Sequence, residues 1–205
     1  MTRLISFGCS FTFGQHLPDN INTDIPSEFA YPAVLGKLLN LEAINKGSNG
    51  SGNLQILYDI INFEFLPNDI VTIGWSYFSR FDQLQFINYT GHTKIYSKES
   101  MEHKRNIIDS LYGKNEYIES NIFFKNWFAI HHAHCYLSSK GIKNYQFDMV
   151  INDSTFSNIK KPKFIDFDFI NLELFYRDTA ADHKHPGPKT HAYYAEQLYN
   201  YINVH

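Results

Sequence analysis

Three short apolar runs constrain this chain most, because each is closed by glycine and small polar residues. Leu4-Ile5-Ser6-Phe7 stops at Gly8, Leu41 to Ile44 runs into a loop containing Gly47, and Ile70-Val71-Thr72-Ile73 stops at Gly74. Runs this short, bounded by turn residues, read as buried strands. Helical patterns lie between them. Tyr31, Val34, Leu35, Leu38 and Leu39 mark one apolar side of a helix over 28–39, with Pro32 in its first turn, where a missing N–H is harmless. Leu54, Leu57, Ile60 and Ile61 repeat the spacing after the polar loop 45–53. A third helix is predicted from Ser120 to Ser139, ended by Gly141, and a last one from Pro186 to Val204. Ile142 to Phe147 reads as a fourth strand and Phe164 to Phe169 as a fifth short element.

Strand and helix therefore alternate, which argues for a parallel sheet covered by helices on both faces. In such folds functional groups collect at the carboxyl ends of the strands. The three glycine-closed loops should then share one rim. The length of 205 residues is enough for one domain with a substantial core. Residues 77–119 do not fit the alternation. Strand-like runs at Phe86 to Tyr89 and Lys94 to Tyr96 are followed by a charged stretch, and the whole reads as an insertion over one face.

Composition removes several classes of function. The formal net charge is −3 with no Lys/Arg cluster, so a nucleic-acid footprint is not expected. No stretch approaches the roughly 20 apolar residues that a membrane-spanning helix needs. The first apolar run is too short for a secretion signal and is broken by Gly8. Cys9 and Cys135 form no CxxC pair, which suits a cytoplasmic or otherwise soluble protein, with a reducing compartment expected. Aromatic residues make up 17% of the chain, and an aromatic-rich core is the expected use.

Two segments carry chemistry. Ser10 follows a buried strand and is flanked by small residues, so its hydroxyl should stand at the strand end, with turn N–H groups available to an oxyanion. Alone, it could equally cap a turn. Asp182-His183-Lys184-His185-Pro186 places a carboxylate three residues before a histidine on a proline-stiffened loop, close enough to orient the ring. Alone, Asp182 could equally sit near a helix cap. Cys9, beside Ser10, should point away from the site and pack. His183, His185 and His191 cluster near the last loop, and His131, His132, His134 and Cys135 lie on one helix, with His131 and Cys135 sharing a face. Neither set gains a carboxylate pair or second cysteine, so no metal or cofactor is expected.

Together these segments resemble the SGNH (GDSL-type) hydrolase family. Gly8-Cys9-Ser10 looks like its first block, Gly-Asp-Ser, and Asp182 with His185 matches its last, Asp-x-x-His before the C-terminal helix. The resemblance implies a three-layer α/β/α sandwich, flavodoxin-like, with a mostly parallel sheet of about five strands. It implies a Ser10–His185–Asp182 triad and an oxyanion hole from the N–H groups of Ser10 and Gly47. The family's third oxyanion group is an asparagine; Ser76 stands there, with Asn49 or Arg80 as further polar groups. A hydroxyl is a shorter, less directed donor than an amide. The implied activity is hydrolysis of an ester or O-acetyl group on a small molecule or carbohydrate. An O-acyltransferase with the same triad, or a non-catalytic binding module, would share the fold.

Overall fold

The computed structural model describes residues 2–21, 24–77, 116–149, 162–163, 165–167, 169–170, 172–173 and 175–204, with backbone alone for 116–123. Most of the expected insertion, its two strand-like runs and Arg80 lie outside these residues. Residues 116–119 open a long helix, four residues ahead of the expected start at Ser120.

Among the described residues four strands form one parallel sheet in the order β2-β1-β3-β4. They are β1 (Arg3–Gly8), β2 (Glu42–Gly47), β3 (Ile70–Trp75) and β4 (Lys143–Asp148). About five had been expected. Where the fifth would lie, the described residues make one parallel bridge, Ile170 to Phe147. Five helices accompany them among the described residues: α1 (Ser10–Phe13), α2 (Tyr31–Leu39), α3 (Asn53–Ile61), α4 (Glu116–Ser139) and α5 (Pro188–Val204).

The central strands β1 and β3 are buried on both faces, as continuous apolar runs demand. Period-two alternation divides their side chains between two cores. Ile5, Phe7, Val71, Ile73 and Trp75 pack with α3 and α4 through Ile56, Ile60, Trp127 and Ile130. Leu4, Phe147 and Met149 pack on the other side with Tyr31 and Leu35 of α2 and Tyr194, Ala195 and Leu198 of α5. Ser6 and Thr72, the polar residues of the central strands, satisfy each other across the ladder at 2.7 Å. Burial pushes the neighbouring Tyr31 phenol up to about 12, an effect moderated by the hydroxyls of Thr72, Thr12 and Ser6. At the opposite end of the sheet, Arg3 pairs with Asp69 at 2.6 Å.

From β1 the chain crosses by way of α2 to β2 on one side. From β3 it crosses by way of α4 to β4 on the other. The carboxyl ends of β1 and β3 therefore mark a topological switch point, where crossovers diverge and leave a crevice. The strand-closing glycines lie in register there, Gly8 opposite both Gly47 and Gly74. Their function is close approach. A Cβ on Gly47 would lie 2.4 Å from the Phe13 backbone nitrogen. A Cβ on Gly8 would lie 2.0 Å from Thr12 Oγ1. Helix α1 rests directly on this glycine row. Among the described residues, no helix is long and apolar enough to cross a membrane.

Candidate active site

Ser10 begins a single helical turn where the sequence suggested a plain turn. Phe13 N–H donates to the Cys9 carbonyl and Gly14 N–H to the Ser10 carbonyl, both at 3.0 Å. Gly14 ends the turn at a φ of 80°, which glycine adopts without strain. The first N–H groups of a helix lack intrahelical acceptors. Ser10 thus brings both its hydroxyl and an N–H to the rim. Cys9 is fully buried among apolar residues, as expected of a packing residue, and both cysteines are free.

His185 is held by a short loop built from the start of α5. Asp178 accepts N–H bonds from Lys189 (3.0 Å) and Thr190 (2.9 Å), capping that helix. Gly187 N–H donates to the Asp178 carbonyl, and a Cβ on Gly187 would lie 2.5 Å from Asp178 Cγ. Thr179 bridges Pro186, and Ala180 N–H donates to the His185 carbonyl at 2.9 Å. Sequence reading missed Asp178, since its partners lie eleven and twelve residues on.

Within the loop Asp182 uses both oxygens. Oδ1 accepts N–H bonds from Lys184 (3.1 Å) and His185 (3.0 Å), while Oδ2 lies 2.6 Å from His185 Nδ1. His185 Nε2 lies 3.1 Å from Ser10 Oγ. Burial works against charge on Asp182. The bonds from the His185 N–H and ring and the Lys184 N–H outweigh it, and hold the carboxyl far below its usual range. An ionised Asp182 fixes the tautomer: Nδ1 carries the proton, and Nε2 presents its lone pair to the serine hydroxyl. Phe11 packs edge-on against the His185 ring at 5.2 Å, with Tyr77 and Tyr176 next to Phe11.

The residues expected around the oxyanion divide. Gly47 does not offer its N–H, which donates to Asn45 Oδ1 at 2.8 Å. Its place in the site is steric. Ser76, at the end of β3, is buried, and its Oγ has no hydrogen-bond partner among the described residues. Asn49, in the loop after β2, likewise has an unpartnered buried Oδ1. The two loops flank Ser10 from either neighbouring strand. Ser76 is positioned by Asn53, which accepts its N–H at 2.8 Å and donates to its carbonyl at 3.2 Å. Asn53 also donates to Asn126 of α4 at 2.7 Å. Sequence reading missed Asn53, although a polar residue opening an amphipathic helix after Ser51-Gly52 was its signal.

The histidine clusters also rearrange. His191 leaves the loop group: it is buried on α5, and its Nδ1 accepts the Tyr31 N–H at 3.1 Å. Burial lowers its pKa to about 3, so it is a neutral structural acceptor. His183 is exposed, at a φ of 58°. His131 and Cys135 do meet, at 3.5 Å on α4. An unforeseen histidine, His16, joins the site instead. Its φ is 65°, its carbonyl accepts the Ala181 N–H, and its Nε2 lies 3.8 Å from Asp182 Oδ2. One ligand atom each from His16, Asp182 and His185 lie within 4.8 Å of one another.

No family model matches the sequence, and no curated protein matches it. Solved structures do. One is a carbohydrate esterase family 2 enzyme with a carbohydrate binding domain, from Corynascus thermopiles (Myceliophthora fergusii). It is 13% identical, with a TM-score of 0.57, over 98% of this chain and 66% of that one. Another is a protein assigned to the G-D-S-L lipolytic family from Desulfitobacterium hafniense DCB-2, 18% identical over 98% of this chain and 99% of that one, with a TM-score of 0.38. The first likeness establishes a shared α/β fold. At such identity it transfers no activity.

Proposed function

We propose that the protein is a serine esterase of the SGNH type that hydrolyses an ester or O-acetyl group through Ser10, His185 and Asp182. The observation that carries this reading is the continuous chain Asp182 Oδ2, His185 Nδ1, His185 Nε2, Ser10 Oγ, with links of 2.6 and 3.1 Å. It stands at the switch point of a parallel sheet, where this fold class binds ligands. The likeness in fold to the Corynascus carbohydrate esterase supports it and points to an O-acylated sugar as the substrate class.

In this mechanism Ser10 Oγ attacks the ester carbonyl while His185 Nε2 takes its proton. His185 then returns that proton to the departing alcohol, leaving an acyl-Ser10 that water opens by the reverse sequence. Asp182 keeps the ring in its working tautomer and stabilises the transient imidazolium. The Ser10 N–H and the Ser76 hydroxyl donate to the oxyanion, with the Asn49 side-chain N–H as the third donor. Gly47 shapes the floor instead of donating.

The test pairs p-nitrophenyl acetate turnover with labelling by a fluorophosphonate. Wild type should do both. Ser10→Ala should do neither, with an almost unchanged melting temperature, because alanine fits the serine's space. Labelling without turnover would favour acyl transfer to another acceptor, and neither signal in wild type would favour a binding module. Wild-type turnover in Ser10→Ala, with contaminating esterase excluded, refutes the assignment.

A further inference from the structure

Resting on the hydrolase reading, we propose that His16, Asp182 and His185 form an inhibitory site for a divalent transition-metal ion, zinc above all. Zinc takes imidazole nitrogen and carboxylate oxygen at about 2.0–2.2 Å in a tetrahedron, which sets ligand atoms roughly 3.3 Å apart. The observed separations bracket that spacing: 2.6 Å between Asp182 Oδ2 and His185 Nδ1, and 3.8 Å between Asp182 Oδ2 and His16 Nε2. Side-chain adjustments of under about 1 Å close the set. The three side chains are 35%, 20% and 17% exposed, so an ion can enter and a water can fill the fourth position.

Supporting contacts are already in place. Asp182 Oδ1 is held by the Lys184 and His185 N–H groups, which leaves Oδ2 turned toward both rings. The His16 backbone is tied to the same loop through Ala181. Ligands fixed this way lose less on binding. Two imidazoles and one carboxylate select zinc-like ions over magnesium or calcium, which prefer oxygen.

Inhibition follows from proton accounting. In the free enzyme the one proton of neutral His185 is on Nδ1, and Nε2 accepts from Ser10. Zinc on Nδ1 takes the place of that proton. The neutral ring then carries its single proton on Nε2, which now donates toward Ser10 Oγ. The serine proton has no acceptor, so acylation stops. His16 is the third ligand, without which Asp182 and His185 give a weaker two-point site.

The experiment titrates zinc into the full-length protein during p-nitrophenyl acetate hydrolysis, and in parallel measures zinc binding against a chromophoric chelator. Wild type should bind one inhibitory zinc, lose turnover and fluorophosphonate labelling together, and recover both on adding EDTA; magnesium should do nothing. Measured against its own zinc-free turnover, His16→Gln should show an inhibition constant at least about tenfold higher than wild type, the scale set by loss of a metal-site contact. Cys135→Ser controls for the His131–Cys135 pair and should be inhibited like wild type. An unchanged inhibition constant in His16→Gln, or inhibition abolished by Cys135→Ser, overturns the proposal. If wild type shows neither turnover nor labelling, the hydrolase reading fails on its own, and chelator competition between wild type and His16→Gln still decides the metal site.

Discussion

Replacing Asp148 with asparagine should stabilise the protein at neutral pH and leave it unchanged in acid. Asp148 ends β4, opposite Trp75, and among the described residues no hydrogen bond or cation reaches its carboxylate. Burial raises its pKa from 3.8 to about 6. Each tenfold change in an ionisation equilibrium is worth about 1.4 kcal/mol, so ionising this group costs about 3 kcal/mol. Part of its surface still meets solvent, and we take about 2–3 kcal/mol as the working range. The folded state binds the proton more tightly than the unfolded chain, so wild-type stability falls as pH rises between about 4 and 6. Asparagine is neutral throughout. The difference between variant and wild type should therefore be near zero below about pH 4 and reach about 2–3 kcal/mol above about pH 6.5. Urea unfolding from pH 4 to 8, with an unchanged m-value, measures it. In thermal melts near pH 7 the gain corresponds to roughly 4–12 °C. A difference independent of pH, or a destabilised variant at neutral pH, would show that Asp148 is not the isolated carboxyl described above.

Gly47→Ala puts a methyl 2.4 Å from the Phe13 nitrogen, where backbone faces backbone. It should cost at least about 1–3 kcal/mol and depress turnover by displacing α1, and an unchanged melting temperature would contradict the close packing. Ser76→Ala should lower kcat more than it changes KM, and Ser76→Asn should raise kcat if the hydroxyl is a weak oxyanion donor; no effect from either removes Ser76 from the site. Asp178→Ala strips the cap from α5 and should cost about 0.5–2 kcal/mol, with a loss of turnover as the His185 loop loosens, measured by melting and steady-state kinetics. Asp182→Asn should retain more activity than His185→Ala, because it disturbs the ring's orientation without removing the proton carrier; equal losses would mean the carboxylate does more than orient.

The sequence alone determined the α/β architecture and the order of its main elements, and it singled out Ser10, Asp182 and His185 as candidates. Those signals are local: an apolar period, a glycine at a strand end, a carboxylate within reach of a ring three residues on. Element edges shifted where side chains intervened. Asp19 accepts from Ser27 Oγ and the Glu28 N–H, so 28–30 form a turn and α2 begins at Tyr31 instead of Glu28. Only the tertiary structure decided which groups meet. It brought His185 Nε2 to 3.1 Å from Ser10 Oγ across 175 residues. It gave the Gly47 N–H to Asn45, buried His191 beneath α2, and set His16 beside Asp182. A histidine's nitrogen finds its partner within a few tenths of an ångström. That placement comes from packing between distant segments, and no local pattern in the chain encodes it.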